Sequence, residues 1–412
     1  LKKALFIGYV WPEPNTTAAG NRMLQLLQAF LKKGYEVIFA STALSTKYSF
    51  DLKTLDIQTT RIALNDASFD DYVANIKPDI VVFDRFMVEE QFGWRVAAAV
   101  PNAVRILNTE DLHSLRKLRE ACLKNKERFT IDKWLEFSMT KREIASIYRC
   151  DLTLLVSTFE MELLKDTLRI AADLYCHLPF LLDEITSDER ENWPNFGLRK
   201  DYICFGNGKH APNVDAICFL KQEIWPLICK EQHGATVHIY GAYLPQKVLQ
   251  LHKPKEGFLV HGWVDRLDEK LKNCRINLAP LRFGAGIKGK LTKSMQNGVP
   301  SITTSIGAEG MYENLNWCGK LADDPVDFAQ KAVALYQNQD EWFRKQENGM
   351  QIINEHYNKS LLLPNFFNTL NTLQKNLSLH RRQNFIGAML MHETLSGTKY
   401  MAKWIEEKNK NA

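Results

Sequence analysis

The apolar positions fall into two successive series of short runs separated by amphipathic stretches. Residues 4–8 form an apolar run, then comes a Pro/Asn/Thr/Gly loop over 11–20, then a helical stripe of Met23, Leu24, Leu27, Phe30 and Leu31 that Gly34 stops before the run 36–40. Strand, helix, strand in that order is a βαβ unit. The pattern continues with a strand at 79–83, a helix at 91–99, a strand at 104–107, a long charged helical stretch over 113–149 and a strand at 152–156. Continuous apolar runs of this kind mark parallel strands buried on both faces, and their alternation with helices predicts a doubly wound α/β sheet.

Residues 183–201, DEITSDERENWPNFGLRKD, break the rhythm with acidic residues, Pro194 and Gly197, and read as a linker. A second series follows: strands at 202–206, 236–240, 257–261, 275–279 and 301–304, with helices at 214–229, 265–273 and 290–297. The chain is therefore expected to fold as two Rossmann-like domains, 1–182 and 202–375, facing one another across a cleft. The helices of 376–412 are expected to return to the first domain, because Phe385, Ile386, Met389, Leu390, Tyr400, Met401 and Trp404 give too much apolar surface for a free tail.

Composition narrows the function. At 412 residues, 45% hydrophobic and 25% charged, the chain is neither disordered nor fibrous. A balance of 53 Lys+Arg against 48 Asp+Glu is too mild for wrapping nucleic acid. The eight cysteines form no C-x-x-C pair and sit mostly in apolar runs, as buried free thiols do in a reducing compartment. No uncharged apolar stretch approaches the roughly 18 residues of a spanning helix, and the first strand leaves no room for a signal peptide. A cytoplasmic location is expected, with any membrane contact peripheral on the inner face. The stretch 115–149 carries ten Lys/Arg against five Asp/Glu. It reads as an amphipathic surface helix or, alternatively, as a basic face on anionic lipid, extended by Arg381, Arg382, Lys399 and Lys403. The histidines, His238 in a strand included, lack metal-ligand spacing, so no metal is expected.

In open α/β sheets ligands sit at the carboxyl ends of strands, where loops and helix N-termini offer N–H groups to anions. The sharpest candidate is Pro280-Leu281-Arg282-Phe283-Gly284-Ala285-Gly286-Ile287-Lys288-Gly289-Lys290, a glycine-rich cationic loop between a strand and a helix. Its glycines let the backbone approach a phosphate, and Arg282, Lys288 and Lys290 supply charge. It is neither a P-loop nor a dinucleotide fingerprint, and alone it could be a solvated turn.

The block 280–310, which runs on through Asn297-Gly298-Val299-Pro300 to Gly307-Ala308-Glu309-Gly310, resembles the donor-binding signature of family 4 glycosyltransferases and their relatives with the GT-B fold. Phe205-Gly206-Asn207 with Pro212-Asn213, and His261-Gly262-Trp263-Val264, are similar to further loops of that family. So are Trp11-Pro12-Glu13-Pro14 to Gly20, and Asn108-Thr109-Glu110-Asp111-Leu112-His113, in the first half.

The resemblance implies transfer of a sugar, with retention of configuration and without metal or cofactor, from a nucleotide-diphosphate sugar to a glycan or lipid-linked acceptor. It implies a donor site of Gly206, Lys209, Gly284, Gly286, Ile287, Lys290, Lys293, Glu309 and Gly310. Arg282 and Lys288 would stabilise the leaving diphosphate, Gly20 and Glu110 would lie on the acceptor side, and His113 would line the cleft near the transferred sugar, with Asp111 as a second acid/base candidate. The family's usual pair of glutamates would fall at Ala285 and Lys293. A lysine offers no acceptor to ribose hydroxyls, and Glu309 is a candidate substitute. Lys293 also motivates a competing reading, a pseudoenzyme that only binds. A nucleotide-sugar epimerase, which uses two facing domains as well, is the other.

Overall fold

The computed structural model describes residues 1–392 together with Met401 and Trp404. The two series form two separate, wholly parallel sheets. The first contains β1 (Lys3–Gly8), β2 (Glu36–Ser41), β3 (Gln58–Arg61), β4 (Ile80–Asp84), β5 (Val104–Asn108), β6 (Leu152–Leu155) and β7 (Tyr175–His177), in the order β3-β2-β1-β4-β5-β6-β7. The second contains β8 (Lys200–Phe205), β9 (Val237–Tyr240), β10 (Phe258–Gly262), β11 (Cys274–Ala279), β12 (Ser301–Thr303) and β13 (Gly319–Leu321), in the order β10-β9-β8-β11-β12-β13. Along β1, Leu5 and Ile7 enter one core while Ala4 and Phe6 enter another, as burial on both faces requires. Strand order reverses beside β1 and beside β8, so each sheet opens a crevice there.

Three strands were not expected. β3, β7 and β13 are edge or near-edge pieces of three or four residues, and β3 (Gln-Thr-Thr-Arg) has no apolar run to find. The charged stretch 113–149 is also three helices rather than one: His113–Asn125, Ile131–Glu136 and Ser138–Arg149. Lys126, in the left-handed region at φ 57°, ends the first, and the Thr130 hydroxyl caps the second by accepting from the Lys133 N–H.

The segment joining the sheets is tied down: Trp193 and Arg199 are buried, and the Arg199 guanidinium donates to the carbonyls of Pro194 and Asn297. The chain crosses back to the first sheet earlier than the expected 376. Helix Lys359–Lys375 sets Phe366 and Phe367 against Phe30, with ring centroids 6.0 and 5.5 Å apart. Beyond it, Arg381 points inward onto Asp151, donating at 2.7 Å from Nε, and so does not extend a basic surface.

Helix Phe385–Met391 docks through its backbone rather than its apolar side chains. Gly387 lies against the Tyr148 carbonyl, which also accepts from Asn384. Phe385 stays 68% exposed, and Ile386, Met389, Met401 and Trp404 are exposed too, contrary to the burial expected of them. Lys399, Tyr400 and Lys403 lie outside the described residues.

Most cations of 115–149 face carboxylates. Arg116 pairs with Asp111, Arg119 with Glu309, Lys117 and Lys124 with Glu120, Lys133 with Glu127, Arg142 with Glu90 and Arg149 with Glu89. Among the described residues no helix is long and apolar enough to cross a membrane.

Candidate active site

A cleft of about 1560 Å³ runs between the halves, lined by the loops at the carboxyl ends of both sheets. Of the residues singled out from sequence, Gly20, Glu110, Asp111, His113, Gly206, Lys209, Gly284, Ile287, Lys288, Lys290 and Lys293 line it. Arg282, Gly286, Glu309 and Gly310 do not.

The wall built by the second sheet is cationic. The loop after β11 leads into helix Gly289–Gln296, whose first turn holds no acidic residue. Gly289 packs against Ala18, so the N-terminus of this helix and that of helix Ala18–Lys32 converge on the cleft. Both ends present unpaired N–H groups and positive dipole charge to the same space. Lys288 is 8% exposed, its ammonium donates to the Gly286 carbonyl at 2.7 Å, and burial pushes its pKa down to about 8. Burial lowers Lys290 as well, and among the described residues its ammonium has no hydrogen-bond or ion-pair partner. Lys209 sits 3.7 Å above the Tyr243 ring at the mouth, and the Tyr243 hydroxyl donates to Glu13 across the cleft. Gly206 leaves no room for a Cβ beside the Asn213 side chain.

Three expectations for this wall are corrected. The Arg282 guanidinium turns to the outside, where it holds Asp215 with donors at 2.9 and 2.5 Å and lies over Phe219, so it is not a cleft cation. Glu309 does not face the donor space. Arg119 of the first half grips its carboxylate at 2.7 and 2.8 Å and donates to the Gly284 carbonyl too. Lys293 is not an uncompensated charge, because Asp268 accepts from its ammonium at 2.8 Å and from Asn297 at 2.7 Å. Asp268 lines the cleft beside it.

Gly286 and Gly310 act at the seam between the halves. Gly286, at φ 63°, has the Asp111 Cβ and the Glu110 carbonyl within 3.0 Å of where its own Cβ would stand, and Gly310 packs on Ser157 and Phe159. Glu160 clasps the same seam: one carboxyl oxygen accepts from the Leu112 N–H at 2.9 Å and from the Gly286 N–H at 2.8 Å. Burial, with the Asp111 carboxylate nearby, raises its pKa to about 8.

The wall of the first sheet is built around carboxylates. His113 Nδ1 lies 2.9 Å from Asp111 Oδ1, and Arg116 donates to Asp111 at 2.6 Å. Burial opposes ionisation of Asp111, yet Arg116 and His113 hold its pKa well below the ordinary value. The Asp111 carboxylate is thus kept ionised between the His113 ring and the Arg116 guanidinium.

Sequence reasoning passed over Arg22, Asp84, Arg85, His210 and Asp268, all of which line the cleft, and Glu160 at its seam. Asp84 and Arg85 directly follow the predicted strand 79–83, and their position at a strand's carboxyl end was the available signal. Arg22, Glu160 and Asp268 carried none, since each matters through partners far away in sequence.

Residues 199–338 match the protein family described as "Glycosyl transferases group 1". A Klebsiella pneumoniae protein, described as an uncharacterised 44.6 kDa protein in the cps region, is 23% identical over 242 residues, which cover 57% of this chain and 59% of that one. Among solved structures, sucrose-phosphate synthase from Thermosynechococcus elongatus superposes with a TM-score of 0.69 at 13% identity, covering 90% of this chain and 99% of its own. Anabaena HepE in complex with UDP and glucose gives 0.65 at 11% identity, covering 90% and 100%. The fold is the GT-B fold, and the resemblance noted over 280–310 lies inside the matched family region.

Proposed function

We propose that the protein is a glycosyltransferase that moves a sugar, with retention of configuration, from a nucleotide-diphosphate sugar to a glycan or lipid-linked acceptor. The observation that carries this reading is the pair of helix N-termini converging on the cleft beside Lys288 and Lys290, the latter without an ion-pair or hydrogen-bond partner among the described residues. That arrangement suits a diphosphate that gains charge as it leaves, and preorganised cations and N–H groups aimed at developing charge lower such a barrier. The family match and the UDP and glucose held by the Anabaena protein of the same fold support the same donor class.

Lys288, Lys290 and Lys209 hold the diphosphate in this reading. Gly206, Gly284 and Ile287 shape the space for the donor, and Gly20 shapes the facing wall. His113, with Nδ1 fixed on Asp111, contacts the transferred sugar through Nε2. No metal or cofactor enters the chemistry. Lys293, which motivates the pseudoenzyme alternative, is paired with Asp268, a carboxylate that lines the cleft beside it.

A thermal-shift panel of UDP, GDP, ADP and CMP tests the donor class, since a ligand bound only by the native state raises the melting temperature. No shift with any of them refutes the reading. Incubation of nucleotide sugars without acceptor separates the epimerase, which would convert the donor rather than slowly hydrolyse it.

A further inference from the structure

Two non-glycine residues on the first-sheet wall hold backbone conformations that L side chains rarely adopt. Arg85, after β4, has φ 76° and ψ 156°, a region otherwise left to glycine, and Glu110, after β5, has φ 62°. Strain of this kind persists where surrounding structure over-determines it, and it gathers at sites where a side chain must be aimed. Here it aims Glu110 at the cleft.

The Glu110 carboxyl is anchored on one side only. Its Oε1 accepts from Asn108 Nδ2 at 2.8 Å and lies 3.6 Å from the buried Arg22 guanidinium. Its Oε2 has no protein partner among the described residues, and it is not among the buried orphan atoms, so it opens to the cleft. The Glu110 carbonyl touches Gly286, which places the residue against the glycine-rich loop of the opposite wall. Asp84 and Arg85 flank it from β4, Arg22 from helix Ala18–Lys32, and Asp111 and His113 follow on its own loop. His210, Lys288 and Lys290 are titratable groups of the facing wall.

We propose that Glu110 is the base that takes the proton from the attacking hydroxyl, a step that rests on the transferase reading above. The hydroxyl gives its proton to Glu110 Oε2, and its oxygen forms a bond to the anomeric carbon on the face that the leaving phosphate occupies, as retention requires. The bond from that carbon to the phosphate oxygen breaks, and its electron pair leaves on the nucleoside diphosphate. Asn108 and Arg22 position the carboxyl. Its surroundings suit a general base. Burial, with the Asp84 carboxylate nearby, raises the pKa of Glu110 to about 7 against the opposing pull of Arg22, near the value a base needs at neutral pH.

The test uses water as the acceptor, with release of free sugar from UDP-glucose, UDP-N-acetylglucosamine and GDP-mannose as the readout. The wild-type rate is expected to rise with pH through about 7, as Glu110 loses its proton. Glu110→Gln should slow hydrolysis by about 100-fold or more and flatten that limb, while the melting shift given by UDP or GDP is kept. Glu110→Gly, which suits the left-handed backbone, should be equally slow and regain about tenfold or more with added formate. Hydrolysis within threefold of wild type in Glu110→Gln overturns the assignment. So does a pH limb that survives there but vanishes in His113→Ala, and so does a glycine variant that formate leaves unmoved. A wild-type protein that neither shifts with a nucleotide nor hydrolyses any donor refutes the transferase reading, and this proposal falls with it.

Discussion

The two walls of the cleft rest on the same scaffold, a parallel sheet whose strand order reverses beside its first strand, yet they are finished in opposite ways. The second-sheet wall is centred on one contiguous loop and helix, 280–296, with glycines for close approach and lysines for charge, and Gly206, Lys209, Tyr243 and Asp268 complete it. The first-sheet wall gathers Arg22, Asp84, Arg85, Glu110 and His113 from separate places in the chain and holds two of them at positive φ. One wall presents lysines and helix N-termini, and the other presents carboxylates that burial and neighbouring charges shift in opposite directions.

The largest effect should come from the cationic wall. Lys288→Ala should weaken binding of the preferred nucleoside diphosphate and slow transfer by about 10²-fold or more, read by calorimetry and initial rates. An unchanged affinity would show that the anion sits elsewhere.

Next comes the seam. Arg119→Ala leaves Glu309 and the Gly284 carbonyl without their donor, and removing one partner of a buried pair costs about 3 kcal/mol, measurable as a lower urea midpoint. A variant as stable as wild type would mean that the walls are not clasped there.

Glu160 gives a smaller, pH-dependent effect. Its folded pKa of about 8 lies above the ordinary 4.5, so between those values the folded state binds more protons than the unfolded chain. Stability contributed by this group is therefore present at low pH and lost as pH rises toward 8. Glu160→Gln should flatten that slope in unfolding experiments from pH 5 to 8, and an unaltered slope would assign it to other groups.

Smaller still is Lys293→Glu, which sets a carboxylate against Asp268 and should weaken nucleotide binding about threefold, given how exposed the pair is. The swap with Asp268→Lys should restore it. Least of all, Arg282→Ala should leave donor affinity within about twofold, since that side chain faces Asp215 outside the cleft. A large loss in this variant would blur the distinction between inner and outer cations of the loop.

The contrast between walls also explains what could be read from the chain. Both sheets were legible because buried parallel strands are local apolar runs, and the loop of 280–290 was legible because its glycines and lysines are neighbours in sequence. The short edge strands were not, since Gln58 to Arg61 buries no apolar side chain. Glu309 and Lys293 took unexpected partners, because a side chain's direction is decided by whichever opposite charge the fold brings near, here Arg119 and Asp268. The outward apolar face of helix Phe385–Met391 is a similar case: composition demanded burial, but Gly387 offered a closer contact through the backbone.

The chain passes between the sheets twice, and the two passages lie side by side. Leu182 donates its N–H to the Tyr357 carbonyl and accepts from the Lys359 N–H, each at 2.8 Å, so that Leu182 and Asn358 form a single parallel bridge. Mechanically this is a doubled strap lying on one line. Sliding one passage past the other would break both hydrogen bonds of the bridge. The register of the two passages is thus set by this bridge at the rim of the cleft, which Leu182 and Lys359 themselves help to line.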